Sequence, residues 1–312
     1  MTAKRKHTII ETKHEEIPFY VCRLKKATLT QRGSNKIIEI KFERNEIIDP
    51  DLDDNGMSQD PWIKRLTKRN NPSADFVRRQ MELFKRTGHA EIANEKNPIR
   101  WLGSGTILIL KDPDKKEYLV ANKRHPLYSW GGFLGDNGGL SSSIKDMLNP
   151  KDLAFRELKE ELAIYQEGKK INFSKVKLNT VALKNPTRAV IYYNGQTFTS
   201  DNLALIIDEE TGTIDFRQIL SLNIEDINKL SFFDRETRFS NKNKRTLQKR
   251  PILIFPLEIV RNMFRDNTEV VPKSVFVNKA PILASELKSY KMTLENLTPA
   301  LKLTLEDLFK QK

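Results

Sequence analysis

The chain has 312 residues, 38 % of them hydrophobic and 30 % charged, which is enough apolar material for a real core and enough length for two domains. No apolar run approaches the roughly 18 residues of a membrane span, and the N-terminal MTAKRKHTII has no apolar core behind its basic residues, so neither a span nor a secretory signal is expected. The single cysteine, Cys22, excludes an intramolecular disulfide and a cysteine-built zinc cluster and fits a cytoplasmic protein, while a net charge of +13 makes phosphate-bearing partners worth looking for.

In chain order, about Ile17 to Thr30 and Lys36 to Ile48 read as strands split by a Gly33-Ser34-Asn35 turn, and Cys22 reads as a core residue within Phe19 to Leu24. Pro50 to Gln59 reads as an acidic loop. Pro61 to Ala93 reads as helical, with Phe76, Met81 and Phe84 set among Arg and Lys. Gly105 to Leu110 is a short apolar run rich in strand formers, and Lys111 to Lys116 holds an Asp-Pro-Asp turn signal. Glu117 to Arg124 then reads as a second strand. His125 precedes Pro126 as a turn residue, and the four histidines (His7, His14, His89, His125) have no metal-ligand spacing. Trp130-Gly131-Gly132-Phe133-Leu134-Gly135 and Gly138-Gly139 form a glycine-dense loop, whose backbone can approach a ligand closely.

The most informative stretch follows, in a helical run from about Lys151 to Tyr165. On that helix Glu157, Glu160 and Glu161 stand at i, i+3 and i+4, so three carboxylates crowd one face. Phe155, Leu158 and Leu162 lie on another face and can pack into a core. Like charges at these spacings repel by about 0.2–0.5 kcal/mol per pair on an exposed helix. A solvated Glu-rich helix tolerates that cost; a hard divalent cation such as Mg2+, with its preference for oxygen ligands, removes it. The string Arg-Glu-apolar-x-Glu-Glu arises by chance in about one chain per thousand of this size. Preceded by two strands and a glycine loop, it reads as a holder for a metal and a diphosphate.

Beyond it, strands are expected at Val176 to Leu183, Ala189 to Tyr193, Leu203 to Ile207 and Phe216 to Leu220, and a helix at Ile224 to Leu230. Asp208-Glu209-Glu210-Thr211-Gly212 follows one of these strands and is either an ordinary acidic turn or a source of a further site carboxylate. Arg235 to Arg250 is the densest basic run, carrying Arg235, Arg238, Lys242, Lys244, Arg245, Lys249 and Arg250 against Glu236 alone. It reads first as a solvated loop and second as a phosphate contact for a nucleotide or RNA; with only Phe239 among the basic residues, no base-stacking platform is indicated. The apolar Pro251 to Val260 and a helix near Leu301 to Lys310 complete the chain.

Gly105 to Ile164 resembles a Nudix hydrolase domain. Arg156, Glu157, Leu158, Glu160, Glu161 and Ile164 match the back half of the Nudix box, and Ala163 stands where the family prefers glycine. The front half is irregular: Leu148 falls where the box has its first glutamate, Ser142 where it has its first glycine, and Gly139 lies 17 residues before Arg156, three more than the box spacing. Leu140 to Pro150 therefore reads as an enlarged loop, with Asp146 or Asp152 as replacements for the missing glutamate. The resemblance implies an α/β fold: a Nudix-type α/β/α sandwich with a mixed sheet over 99–235, an N-terminal α+β extension over 1–98 and a C-terminal extension over 236–312.

It also implies site roles. Glu157, Glu160 and Glu161 would ligate Mg2+ or Mn2+; Glu160 and Glu161 would serve catalysis, with Arg156 orienting a carboxylate and Glu209 or Glu210 completing the site. Arg124, Trp130, Gly138 and Gly139 are the candidates for contacting substrate. The expected activity is metal-dependent hydrolysis of a diphosphate in a nucleotide sugar or dinucleotide. The alternatives are a non-catalytic domain that binds a nucleotide or RNA, and an RNA 5′-cap hydrolase. The partner expected is a nucleotide-type small molecule, and the N-terminal extension is a place for self-association.

Overall fold

The computed structural model describes residues 19–48, 72–97, 101–124, 132–140, 144–208, 213–235, 237–239, 245–247 and 250–309. The N-terminal hairpin pairs β1 (Phe19–Arg32) with β2 (Asn35–Ile48), and α1 (Pro72–Thr87) and β3 (His89–Asn94) follow. Next come β4 (Trp101–Lys111), β5 (Glu117–Lys123), the short β6 (Leu134–Gly135) and β7 (Asn137–Leu140), then helices α2 (Ile144–Leu148) and α3 (Pro150–Glu161). The chain continues through β8 (Leu162–Gln166), β9 (Lys169–Lys170), β10 (Leu178–Thr180), β11 (Thr187–Tyr193), β12 (Gln196–Asp208), β13 (Thr213–Asn223), β14 (Leu230–Asp234), β15 (Thr237–Phe239) and β16 (Arg245–Leu247). It ends with β17 (Ile252–Pro256), α4 (Leu257–Asp266), β18 (Ser274–Val277), β19 (Ala280–Pro281) and α5 (Pro299–Phe309).

The fold is α/β with a mixed sheet. Among the described residues the main path runs β19-β18-β17-β5-β4-β13-β12-β11-β2-β1-β3, with β6, β7 and β10 joined beside it. The β13–β4 and β11–β2 pairs are parallel and their neighbours antiparallel. Strands from all three sequence segments share this sheet. Its period-2 side-chain alternation sends Ile107, Ile109, Leu119, Ala121 and Ile219 to one face, under α4 and α5. Leu108, Leu110, Val120 and Leu220 go to the other, where Leu158 and Leu162 from α3 and its exit pack on them. Ala27, Leu29, Ile38 and Ile40 form a third cluster with Phe84 of α1 and with Ala189, Ile191 and Phe216. No helix among the described residues is long and apolar enough to cross a membrane.

Several boundaries differ from the sequence reading, two of them because a partner strand was invisible to local pattern. The helix expected up to Tyr165 ends at Glu161. Leu162 to Gln166 instead pairs with Leu230 to Asp234, burying Leu162, Ala163, Ile164 and Phe232 together. The helix expected through Ala93 stops at Thr87, and Ala90 to Ala93 pair with β1 across a buried face. Ile224 to Leu230 contains only a single 3-10 turn at Ile227–Lys229, capped by the Asp226 side chain. Pro251 to Val260 divides into β17 and the start of α4, and Val176 to Leu183 keeps only three residues in a strand. The expected acidic loop at Pro50 to Gln59 and the first part of the Pro61 helix lie outside the described residues.

Candidate metal and diphosphate site

Helix α3 is pinned to the sheet by polar contacts from beneath. The Ser104 hydroxyl donates to the Pro150 carbonyl at 2.6 Å and the Thr106 hydroxyl to the Ala154 carbonyl at 3.0 Å. Gln218 Nε2 donates to the Lys151 carbonyl at 3.2 Å. Pro150 occupies the first turn, where its missing N–H costs nothing, and Asn149 caps the end by accepting from the Asp152 amide. Asn149 Nδ2 also donates to the Asp152 carboxylate at 2.6 Å, which commits Asp152 to the cap.

The same helix carries all three glutamates, but they do not share one environment. Glu157 and Glu161 turn toward β7, with side chains only 13 % and 11 % exposed. A Cβ at Gly139 would overlap the Glu157 carboxylate, so only glycine allows this approach. A Cβ at Gly138 would meet the Gly105 Cα and the Ser104 carbonyl at 2.9 Å, and the Gly138 amide donates to Glu161 Oε2 at 3.3 Å. Glu160 is 57 % exposed at its side chain and pairs with Arg156.

Arg156 ties the acidic face together. Its Nη1 contacts Glu160 Oε2 at 2.9 Å, and its Nη2 contacts Glu157 Oε1 at 2.9 Å and Asp146 Oδ2 at 3.2 Å. Burial works to lower the Arg156 pKa, but the carboxylates of Glu157, Asp146 and Glu160 outweigh it and raise the value. Asp146 comes from α2, the short helix formed within the enlarged loop, so that segment delivers a carboxylate to the cluster while Asp152 does not.

A second electrostatic layer lies beside the first. Arg217 of β13 is buried between Asp136 and Asp215; its Nε is 2.6 Å from Asp136 Oδ2, held by charge rather than by an aligned hydrogen bond. Burial alone would lower the Arg217 pKa, and the two carboxylates reverse that and raise it. The guanidinium fills the space that a Cβ at Gly105 would need, at 2.9–3.0 Å. Arg124 packs its Cγ and Cδ against Gly135, and burial, reinforced by Arg217 and Arg250, lowers its pKa. Arg250 is buried and holds Asp234 through Nε and Nη2 at 2.9 and 2.8 Å.

Of the residues picked from sequence, Arg156, Glu157, Glu161, Gly138 and Gly139 come together; Glu160 joins them through Arg156. Burial lowers the Arg124 pKa, and the Glu161 carboxylate acts more weakly to raise it. Trp130, Glu209 and Glu210 lie outside the described residues, with β12 ending at Asp208. Asp136, Arg217 and Asp234 were missed, although an arginine inside the strand Thr213–Asn223 was a signal, since a buried cation needs a carboxylate partner. Arg250, expected in a solvated loop, is a buried ion-pair member; Arg235 donates from Nη1 to the Lys159 carbonyl at 3.2 Å. Most of the run between them lies outside the described residues.

Among the described residues, no three His, Cys, Asp or Glu side chains converge into a preformed metal cluster. The donor chemistry still suits Mg2+ or Mn2+, because Mg2+ is commonly held by one or two carboxylates with water and substrate phosphates completing the shell. Glu157 and Glu161 provide that pair, and the lack of a Cβ at Gly139 lets the Glu157 carboxylate lie directly against the strand backbone.

No family model matches the chain, and no curated protein matches its sequence. Solved structures similar to it include Nudix proteins. A MutT NUDIX hydrolase from Burkholderia pseudomallei is 15 % identical with a TM-score of 0.28, covering 67 % of this chain and 97 % of its own. The Nudix hydrolase RenU from M. smegmatis is 12 % identical with a TM-score of 0.27, covering 61 % and 84 %. The NUDIX domain of Shewanella oneidensis NrtR, complexed with ADP ribose, is 10 % identical with a TM-score of 0.25, covering 52 % and 76 %.

Proposed function

We propose that the chain is a Mg2+- or Mn2+-dependent hydrolase of a diphosphate linkage in a nucleoside diphosphate joined to another group, such as a nucleotide sugar or dinucleotide. The observation that carries this reading is the approach of Glu157 and Glu161 to a side-chain-free strand, Gly138-Gly139. Two largely buried carboxylates one helical turn apart repel, and a divalent cation held on their oxygens would relieve that repulsion while keeping coordination sites for a substrate phosphate. A bound divalent ion would lower the pKa of a water molecule and neutralise charge on the leaving phosphate.

The chain's own residues supply the rest. Glu157 and Glu161 provide oxygen donors, Glu160 adds a carboxylate at the exposed rim, and Arg156 keeps Glu157, Glu160 and Asp146 from splaying apart. Glu209 or Glu210 remains the proposed extra carboxylate, and Arg124 and Trp130 the proposed substrate contacts. One observation favours the runner-up, a nucleotide- or RNA-binding domain without turnover: Arg156 already neutralises much of the acidic face without any metal.

The deciding experiment is turnover of NDP-sugars, dinucleotides and capped RNA with Mg2+ or Mn2+. Glu157→Gln and Glu161→Gln should each lower turnover by about two orders of magnitude or more while the circular dichroism spectrum stays unchanged. Wild-type turnover retained in both variants would remove the assigned roles. Binding of a panel member with no turnover in the wild type would select the runner-up.

A further inference from the structure

Glu161 is held from three directions, and one of them is the segment that follows the basic run. Its backbone carbonyl accepts from the Arg235 amide at 2.7 Å, which fixes the end of α3 against the end of β14. Its Oε2 accepts from the Gly138 amide at 3.3 Å. The same Oε2 stands 3.5 Å from Nη2 of Arg250. Arg250 is itself clamped: its backbone amide, Nε and Nη2 all engage the Asp234 carboxylate at 2.8–2.9 Å. Both side chains of that clamp are almost fully buried, at 6 % exposure for Arg250 and 1 % for Asp234.

We infer that Arg250 is a positioning residue for the proposed metal ligand Glu161, acting through its carboxylate and fixed in turn by Asp234. The inference rests on the reading of Glu161 as a ligand. The geometry suits such a role because the bidentate grip of Asp234 prevents Arg250 from swinging over the site as a competing cation. Its Nη2, 3.5 Å from Glu161 Oε2, bears on the carboxylate's orientation. Partners of this kind around a ligating carboxylate typically govern metal affinity or rate by about 10–100-fold. The C-terminal segment would thus be part of the site rather than an appendage to it.

The test compares full-length wild type, Arg250→Gln, Arg250→Lys and Glu161→Gln. Mn2+ binding is read by electron paramagnetic resonance without substrate, and the Mn2+ dependence of turnover is read on whichever panel substrate the wild type hydrolyses. Arg250→Gln should weaken Mn2+ binding or lower turnover by about 10–100-fold, with the substrate KM within about twofold of wild type. Arg250→Lys, which keeps the charge but loses the fork, should recover part of the loss. Where Arg250→Gln does not fold, Arg250→Lys alone decides, through its shifted Mn2+ dependence per folded molecule.

A lower melting temperature in both Arg250 variants, with Mn2+ binding and turnover per folded molecule unchanged, would mean a purely structural ion pair and overturn the inference. If Glu161→Gln weakens Mn2+ binding and the Arg250 variants do not, the inference alone fails. If Glu161→Gln binds Mn2+ as wild type does, Glu161 is not a ligand and both readings fall.

Discussion

A guanidinium buried in a sheet needs its charge answered on the spot, and Arg217 finds Asp136 and Asp215. Breaking a buried pair outright costs about 3–5 kcal/mol, but without Asp136 the guanidinium still has the partly exposed Asp215. Asp136→Asn should therefore cost less than that, about 1–3 kcal/mol in urea unfolding, and Asp136→Leu with Arg217→Met, which leaves only Asp215, should recover part of it. Equal losses in the single and double variants would mean that the charge pairing is not what matters there. Gly139→Ala tests a different residue-scale fit. The added methyl overlaps the Glu157 carboxylate, so turnover should fall at least about tenfold, for a stability loss of about 1–2 kcal/mol. The acidic helix was legible in the sequence because its spacing alone puts Glu157 and Glu161 on one side. The separation of Glu160 was not, since it depends on which side of α3 meets β7. Nor were Arg217 and Arg250, whose partners lie 81 and 16 residues away in the chain, at Asp136 and Asp234.

Elements were legible where a local pattern and a tertiary partner agree. The β1–β2 hairpin, β4, β5, β11 and β13 all carry apolar runs or alternation that their neighbours then bury. Where the two disagree, the partner wins, as at Leu162 to Gln166: good helix formers precede it, yet pairing with β14 buries three consecutive residues that a helix would have pointed in different directions. The start of α3 is locally encoded, by Asn149 as cap and Pro150 behind it. Asn149→Ala should cost about 0.5–2 kcal/mol in urea unfolding, and Asn149→Asp distinctly less, because a carboxylate can still accept from the Asp152 amide. A loss below about 0.3 kcal/mol for the Ala variant would mean that the sheet contacts from Ser104, Thr106 and Gln218 alone fix the helix end.

At the scale of the whole molecule, the sheet decides how separable the sequence segments are. β2 joins β11 by a six-residue parallel register from Thr187↔Lys36 to Tyr192↔Lys41, and Ile38 and Ile40 pack in one cluster with Ala189, Ile191, Leu203, Ile214 and Phe216. Parallel pairing of distant segments cannot form until both are present, so this contact is a product of the complete fold and invisible to any local reading. Deleting residues 1–98 would bare that apolar surface and leave β11 with an unpaired edge, a combination that promotes edge-to-edge association. The truncated chain should therefore be insoluble or unfold well below the full-length protein, and full-length unfolding should follow coincident transitions by tryptophan fluorescence and circular dichroism. A soluble, monomeric truncation that melts within a few degrees of the full-length chain would mean that the sheet beyond β11 stands alone. In that event the three glutamates and Arg250 would still be framed by β4, β7, β14 and β17, and turnover by the truncated protein would measure what the N-terminal strands add to the site.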